Sequence, residues 1–169
     1  MTQSNNTVVA LIPARGGSKE LPGKNMLKVK GVPLVGYSIY SALNSKYISD
    51  VYLTSDDENT LLYGEELGVR LIRRPKEFSS DSSTANNVVE HFISTISKEL
   101  IEKDPYVIYL QPTSPLRTAA HIDEAYEKMV EAGLHKLISV VRMEKTPFKA
   151  FILDKNSNLE ISNSNFQIF

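Results

Sequence analysis

Short apolar runs rich in β-branched and aromatic residues alternate along the chain with segments whose apolar positions recur every three or four residues. The runs Val8–Pro13, Val51–Thr54, Val69–Ile72, Val107–Leu110 and Leu137–Val141 predict strands. Val35, Ile39 and Ala42 mark one helical face, with Pro33 suited to its first turn. Val89, Ile93, Ile96 and Leu100 mark a second face, and Ile122, Ala125, Met129 and Ala132 a third. Strands that alternate with helices predict an α/β fold: a mostly parallel, Rossmann-like sheet with helices on both faces. Phe148–Asp154 and Leu159–Ile161, separated by Lys155-Asn156-Ser157-Asn158, read as a hairpin leaving that sheet.

The 169 residues fit a single domain. With 19 Lys and Arg against 20 Asp and Glu, nothing global draws the chain to nucleic acid or to a membrane surface. There is no cysteine, which excludes disulfides and thiolate metal sites. Met1–Thr7 is polar, and no run approaches the ~20 apolar residues of a membrane span, so a cytoplasmic address is expected. The chain stops on the apolar pair Ile168-Phe169 after a polar stretch, which reads as a chain interrupted before its last elements.

Local charge changes this neutral picture. The first strand opens into Ile12-Pro13-Ala14-Arg15-Gly16-Gly17-Ser18-Lys19-Glu20-Leu21-Pro22-Gly23-Lys24-Asn25. Gly16 and Gly17 permit backbone angles closed to other residues and close approach of main-chain N–H groups to an anion. Arg15, Lys19 and Lys24 add positive charge, so a polyphosphate is the ligand this loop suits best. In an open parallel sheet, ligands bind beyond the carboxyl ends of the strands. Those ends carry the glycine loop, Thr54-Ser55-Asp56-Asp57, Arg73-Arg74-Pro75, the Ser79–Thr84 hydroxyl run and Leu110–Arg117, with Lys145 and Lys149 beyond the fifth. Their convergence in polar and cationic character marks one site.

Ordinary structural roles compete at several positions. Asp56-Asp57-Glu58 fits helix capping better than metal binding. His91, His121 and His135 lack metal-ligand spacing. Ser114 has no paired base. Tyr37, Tyr40, Tyr106, Tyr109 and Tyr126 fit core packing, Arg70 and Arg73 fit a solvated strand edge, and Gln111 could simply satisfy loop backbone. A P-loop NTPase matches poorly, because five residues separate Gly17 from Gly23-Lys24 and Asn25 stands where a hydroxyl should bind magnesium. Gly-x-Gly-x-x-Gly, the dinucleotide signature, is absent from the loop.

In residues 12–25, together with Arg74, Ser83 and Leu110-Gln111-Pro112-Thr113-Ser114-Pro115-Leu116-Arg117, the chain resembles the acylneuraminate cytidylyltransferases, or CMP-sialic acid synthetases. The matched core covers about residues 7–154, with 155–169 a polar tail. The resemblance implies transfer of CMP from CTP to the anomeric hydroxyl of an acidic nine-carbon sugar, with pyrophosphate released and Mg²⁺ as cofactor. It implies nucleotide contacts at Arg15, Gly16, Gly17, Lys19, Lys24, Asn25, Arg74, Ser83 and Gln111, with Arg74 and Ser83 reading cytosine. Arg15, Lys24 and Gln111 would be the catalytic groups, and Gln111 and Lys149 would meet the sugar. Enzymes that activate the eight-carbon sugar Kdo share the chemistry but typically carry an acid where Gln111 lies.

Two departures from the family pattern stand out. Ala85 occupies a position that is usually serine, leaving Thr84 or Asn86 as the nearby polar replacements. The distal Arg-Arg-Gln region, the dimerisation segment and the metal-binding aspartate pair do not occur in these 169 residues, so the metal ligands are unknown. A homodimer is the family expectation. The alternative function is a non-catalytic module that binds CTP or CMP without turnover.

Overall fold

The computed structural model describes residues 6–17, 21–79, 83–140, 151–153 and 159–161. The chain divides into two compact units, Met1–His135 and Lys136–Phe169. The first unit is built on four parallel strands: β1 (Val8–Pro13), β4 (Asp50–Ser55), β5 (Arg70–Arg73) and β6 (Tyr106–Tyr109), in the spatial order β5-β4-β1-β6. A small ribbon, β2 (Lys28–Val29) with β3 (Val32–Pro33), lies between the glycine loop and the first helix.

β1 explains its own uninterrupted apolar run. Val8 to Ile12 are all fully buried, because a central parallel strand has both faces covered. Successive side chains point to opposite faces. Ala10 and Ile12 join Val35, Ile39, Leu53 and Ile122 in one core, while Val9 and Leu11 join Ile72, Val88, Phe92 and Leu100 in the other. The first core is covered by α1 (Leu34–Leu43), α2 (Glu58–Glu66) and α5 (Ala119–Glu131). The second is covered by α3 (Ala85–Thr95) and α4 (Lys98–Glu102). The expected doubly covered α/β sheet is therefore present.

Three expectations need correction. Leu137–Val141 was expected to form a fifth strand, yet 137–140 have no strand pairing and Val140 is 89% exposed; Val141 lies outside the described residues. Strand propensity yields a strand only where a ladder and a packing surface are available, and this stretch meets neither among the described residues. The second helical face is met in part: Leu100 is buried and Val89 and Ile96 pack against the same core, but Val88 and Phe92 are buried beside them and Ile93 is 47% exposed. Phe92 contributes an aromatic ring that packs edge-on against Tyr52, with centroids 5.1 Å apart. The helix also stops before Ile96. The hydroxyls of Ser94 and Thr95 bond back to the His91 carbonyl, and Ser97 caps α4 through the Leu100 amide.

Pro33 precedes α1 as its cap residue rather than sitting in the first turn. In the second unit, β7 (Phe151–Leu153) and β8 (Leu159–Ile161) form the expected antiparallel hairpin, in the register Phe151 opposite Ile161. Residues 148–150 of that hairpin lie outside the described residues.

A cationic crevice at the switch point of the sheet

The strand order reverses at β1. The chain builds β4 and β5 on one side of it and then returns to place β6 on the other. Loops leaving β1 and β6 therefore part in opposite directions, and the gap between them is where an open α/β sheet binds ligands.

The glycine loop is held from several sides. Ala14 N–H donates to the Thr54 carbonyl at 2.9 Å, and the Ser55 hydroxyl donates to the Ala14 carbonyl at 2.6 Å. Gly16 N–H donates to Asp56 Oδ1 at 2.9 Å. Neither Gly16 nor Gly17 uses a positive φ. Gly16 is required for space instead, since a Cβ there would lie 2.8 Å from the Asp57 Cβ, while the same position on Gly17 faces open space. The left-handed residue of the loop is Gly23, with φ of 65°, which turns the chain into a short 3-10 helix over Lys24–Met26. Buried Asn25 closes the loop, its Nδ2 donating to the Arg15 carbonyl at 2.9 Å.

A cavity of about 280 Å³ opens beside this loop. Arg15, Lys24, Asn25, Arg74, Ser83 and Gln111 all line it, joined by Tyr109, Phe78, Thr113 and the first residues of α3. Among the described residues that line it are three cations and no carboxylate. Gly16 and Gly17 shape the loop without lining the cavity, and Lys19 and Lys149 lie outside the described residues.

Arg74 is the unusual member. Its side chain is almost wholly enclosed, with 5% of the residue exposed, and Nε and Nη2 have no hydrogen-bond partner. Burial pushes its pKa down; nearby Asp56 and Tyr109 oppose that shift, and Arg15 adds to it. A buried guanidinium with two unmet donors in a cavity is a site awaiting acceptor atoms. Tyr109, whose phenol pKa burial pushes up, faces the same charge.

Ala85 lines the cavity, so the family's missing hydroxyl leaves a methyl at that wall. Neighbouring Thr84 is committed to capping α3, where it exchanges bonds with Asn87. Asp57 caps α2, accepting from the Thr60 amide at 2.8 Å and the Thr60 hydroxyl at 2.6 Å. With Asp56 held by Gly16, neither aspartate offers an open ligand set. No cluster of three or more His, Cys, Asp or Glu placed to hold a metal exists among the described residues. These residues therefore do not fit a magnesium ion.

Three contributors were not singled out from the sequence. Tyr109 was assigned to the core, although its place two residues before Gln111 at the exit of β6 was a usable signal. Phe78 forms a cavity wall and packs against His91, with ring centroids 5.2 Å apart. Asp56 anchors the loop from 40 residues away. A second groove, of about 700 Å³, lies among the β2–β3 ribbon, α1 and α2. It mixes Lys28 with Glu66, and its Tyr40 and Tyr63 hydroxyls meet at 3.4 Å, so it lacks the one-signed charge of the crevice.

The chain belongs to the cytidylyltransferase family, which matches residues 9–166. It is 34% identical over 152 residues to the pseudaminic acid cytidylyltransferase of Campylobacter jejuni subsp. jejuni serotype O:2, covering 89% of this chain and 65% of that protein. It is 35% identical over 144 residues to the N-acylneuraminate cytidylyltransferase of Streptococcus agalactiae serotype V, covering 82% of this chain and 33% of that protein. The chain thus spans less than two thirds of the length of these curated relatives. Its fold is shared with a CMP:2-keto-3-deoxy-manno-octonic acid synthetase complexed with CTP, with a TM-score of 0.61 at 23% identity, over 76% of this chain and 49% of that one. No helix among the described residues is long and apolar enough to cross a membrane.

Proposed function

We propose that this chain is the nucleotide-binding part of a cytidylyltransferase that transfers CMP from CTP to the anomeric hydroxyl of a sialic-acid-like nine-carbon sugar, releasing pyrophosphate. One observation carries the reading: a cavity at the switch point, lined among the described residues by three cations and no carboxylate, contains a buried arginine with two unmet donors. Aromatic and apolar walls from Tyr109, Phe78 and Val88 suit a base, and Arg15 and Lys24 suit a phosphate chain.

In the reaction, the sugar hydroxyl attacks the α-phosphorus and the bond to pyrophosphate breaks. Catalysis of such a transfer is mostly positioning plus neutralisation of developing negative charge. Arg15 and Lys24 supply fixed charge at the phosphates, Arg74 and Ser83 hold the base, and Gln111 stands between nucleotide and sugar. The family resemblance adds Lys19 as a triphosphate contact and Lys149 as a sugar contact. The Mg²⁺ that the resemblance implies would supply positive charge to the phosphates, and no ligand set for it occurs among the described residues. Homodimerisation and a cytoplasmic setting belong to the same reading.

The test is incubation with CTP, Mg²⁺ and a panel of N-acetylneuraminic, legionaminic and pseudaminic acids, following pyrophosphate. Release with one of these sugars supports transfer by the chain itself. CTP binding with no release from any sugar supports the alternative, a binding module without turnover. Absence of CTP binding rejects both.

A further inference from the structure

Beyond the cavity wall, a guanidinium that touches no ligand position holds the loop that carries Gln111. β6 ends at Tyr109, and the last bond along its line is Leu110 N–H to the Leu11 carbonyl at 2.9 Å. The chain then runs through Gln111-Pro112-Thr113 along the cavity. Because Pro112 has no N–H, the Gln111–Pro112 peptide has a single polar handle, the Gln111 carbonyl. Arg117 Nη2 donates to that carbonyl at 2.6 Å and to Ser38 Oγ at 3.1 Å, and Ser38 Oγ itself donates to the carbonyl at 3.3 Å.

Ser38 is fully buried on α1, the helix that follows the glycine loop. The three bonds therefore tie the Gln111–Pro112 peptide at the cavity to α1 behind it. Burial is what displaces the Arg117 pKa, downwards, and its Nε is enclosed without a partner. A cation is kept half-buried against a carbonyl and a hydroxyl, an arrangement costly to hold for stability alone.

We propose that Arg117, with Ser38, is a positioning residue that fixes the Gln111–Pro112 peptide and so orients the Gln111 side chain at the nucleotide. This inference rests on the reading that the cavity takes CTP and that Gln111 meets it. Arg117 acts through Gln111, so its effect on the ligand disappears when the Gln111 side chain is gone.

Calorimetric titration of the full chain with CTP tests this in wild type, Gln111→Ala, Arg117→Met and the double variant, with thermal melts run alongside. Each single change should weaken CTP binding by about tenfold, the scale of one oriented hydrogen bond, and the double should be no weaker than either single. A merely structural arginine would lower the melting temperature and add its full effect on top of Gln111→Ala. Additive losses, or an unchanged affinity in Arg117→Met, overturn the inference while leaving the CTP reading intact. An unchanged affinity in Gln111→Ala overturns the role of Gln111 and this inference with it, and wild type that ignores CTP overturns the site itself. Should Arg117→Met not fold, Ser38→Ala is titrated in its place, and the Gln111 side-chain amide resonance is followed by NMR. That resonance should shift on CTP addition in wild type and lose most of the shift in Ser38→Ala; an undiminished shift overturns the inference.

Discussion

Gly16 gives its amide to Asp56 Oδ1 at 2.9 Å, so the first glycine of the loop is engaged by the protein's own carboxylate. That N–H is therefore already used within the protein. Asp56 also lies near Arg74 and supports its charge against burial. One carboxylate therefore anchors the loop and favours the charged form of the buried arginine.

Removing that carboxylate should loosen the loop without unfolding the sheet. Asp56→Ala is expected to weaken CTP binding by about 10- to 100-fold, the range of a charge-assisted hydrogen bond. Asp56→Asn, which keeps an acceptor, should lose less. Titration of both variants with CTP checks the order.

Arg74 should show opposite effects on stability and binding. Its unmet donors are a burden in the empty protein. Arg74→Met should raise the stability of the ligand-free chain by about 1–3 kcal/mol, because unpaired buried polar groups are costly. The same change should weaken CTP binding by at least ~30-fold, since charged hydrogen bonds are the strong ones. Denaturant melts and CTP titrations on one preparation measure both.

Two glycine substitutions separate the site from the scaffold. Gly64→Ala would press a methyl against Leu53 and within 2.9 Å of Leu71 Cδ2, and Leu53 is fully buried. Overpacking of this kind costs about 1–3 kcal/mol, so a lower melting temperature with normal CTP affinity is expected. Gly16→Ala would drive its methyl to 2.8 Å from the Asp57 Cβ, at the start of α2. There the CTP affinity should fall more than the melting temperature. Melts and titrations of the two variants should give these reversed patterns.

The pattern of the chain exposed the central strand and the overall layering, because a strand buried on both faces reads as a continuous apolar run. It missed Val88 and Phe92, which are buried, and included Ile93, which is exposed, because residues one apart on a helix share the same i, i+4 spacing. It overstated Leu137–Val141, where propensity was present without a partner strand among the described residues. Arg15, Lys24, Asn25, Arg74, Ser83 and Gln111 were legible as site candidates because their motifs resemble those of the acylneuraminate cytidylyltransferases and lie in the glycine loop or in segments that follow strands. Asp56 and Arg117 were quoted in motifs but given no such role. Their parts depend on Gly16 and Ser38, 40 and 79 positions away, and only the folded chain brings those atoms together.

Acid should undo a surface clasp between α5 and the α1–β4 connection. The Lys46 ammonium, at 2.7 Å, and then the Tyr47 hydroxyl, at 2.7 Å, hold Glu127 below the usual glutamate range. A carboxyl depressed on folding stabilises fully above its unfolded pKa and loses that contribution as pH falls through the folded value. Glu127→Gln should therefore melt slightly below wild type at pH 7, and the gap should close as pH drops below about 4.5, the ordinary value. The pair is exposed, so the gap should be small and should shrink in high salt. Melting curves across pH and salt check this.

A structure of the full chain crystallised with CTP tests the central claim most directly. The nucleotide is predicted in the crevice between the exits of β1 and β6, its acceptor atoms within hydrogen-bond distance of Arg74 Nε and Nη2 and its phosphates beside Arg15 and Lys24. CTP bound elsewhere, or a crevice left empty at saturating CTP with Arg74 still unpartnered, would contradict it.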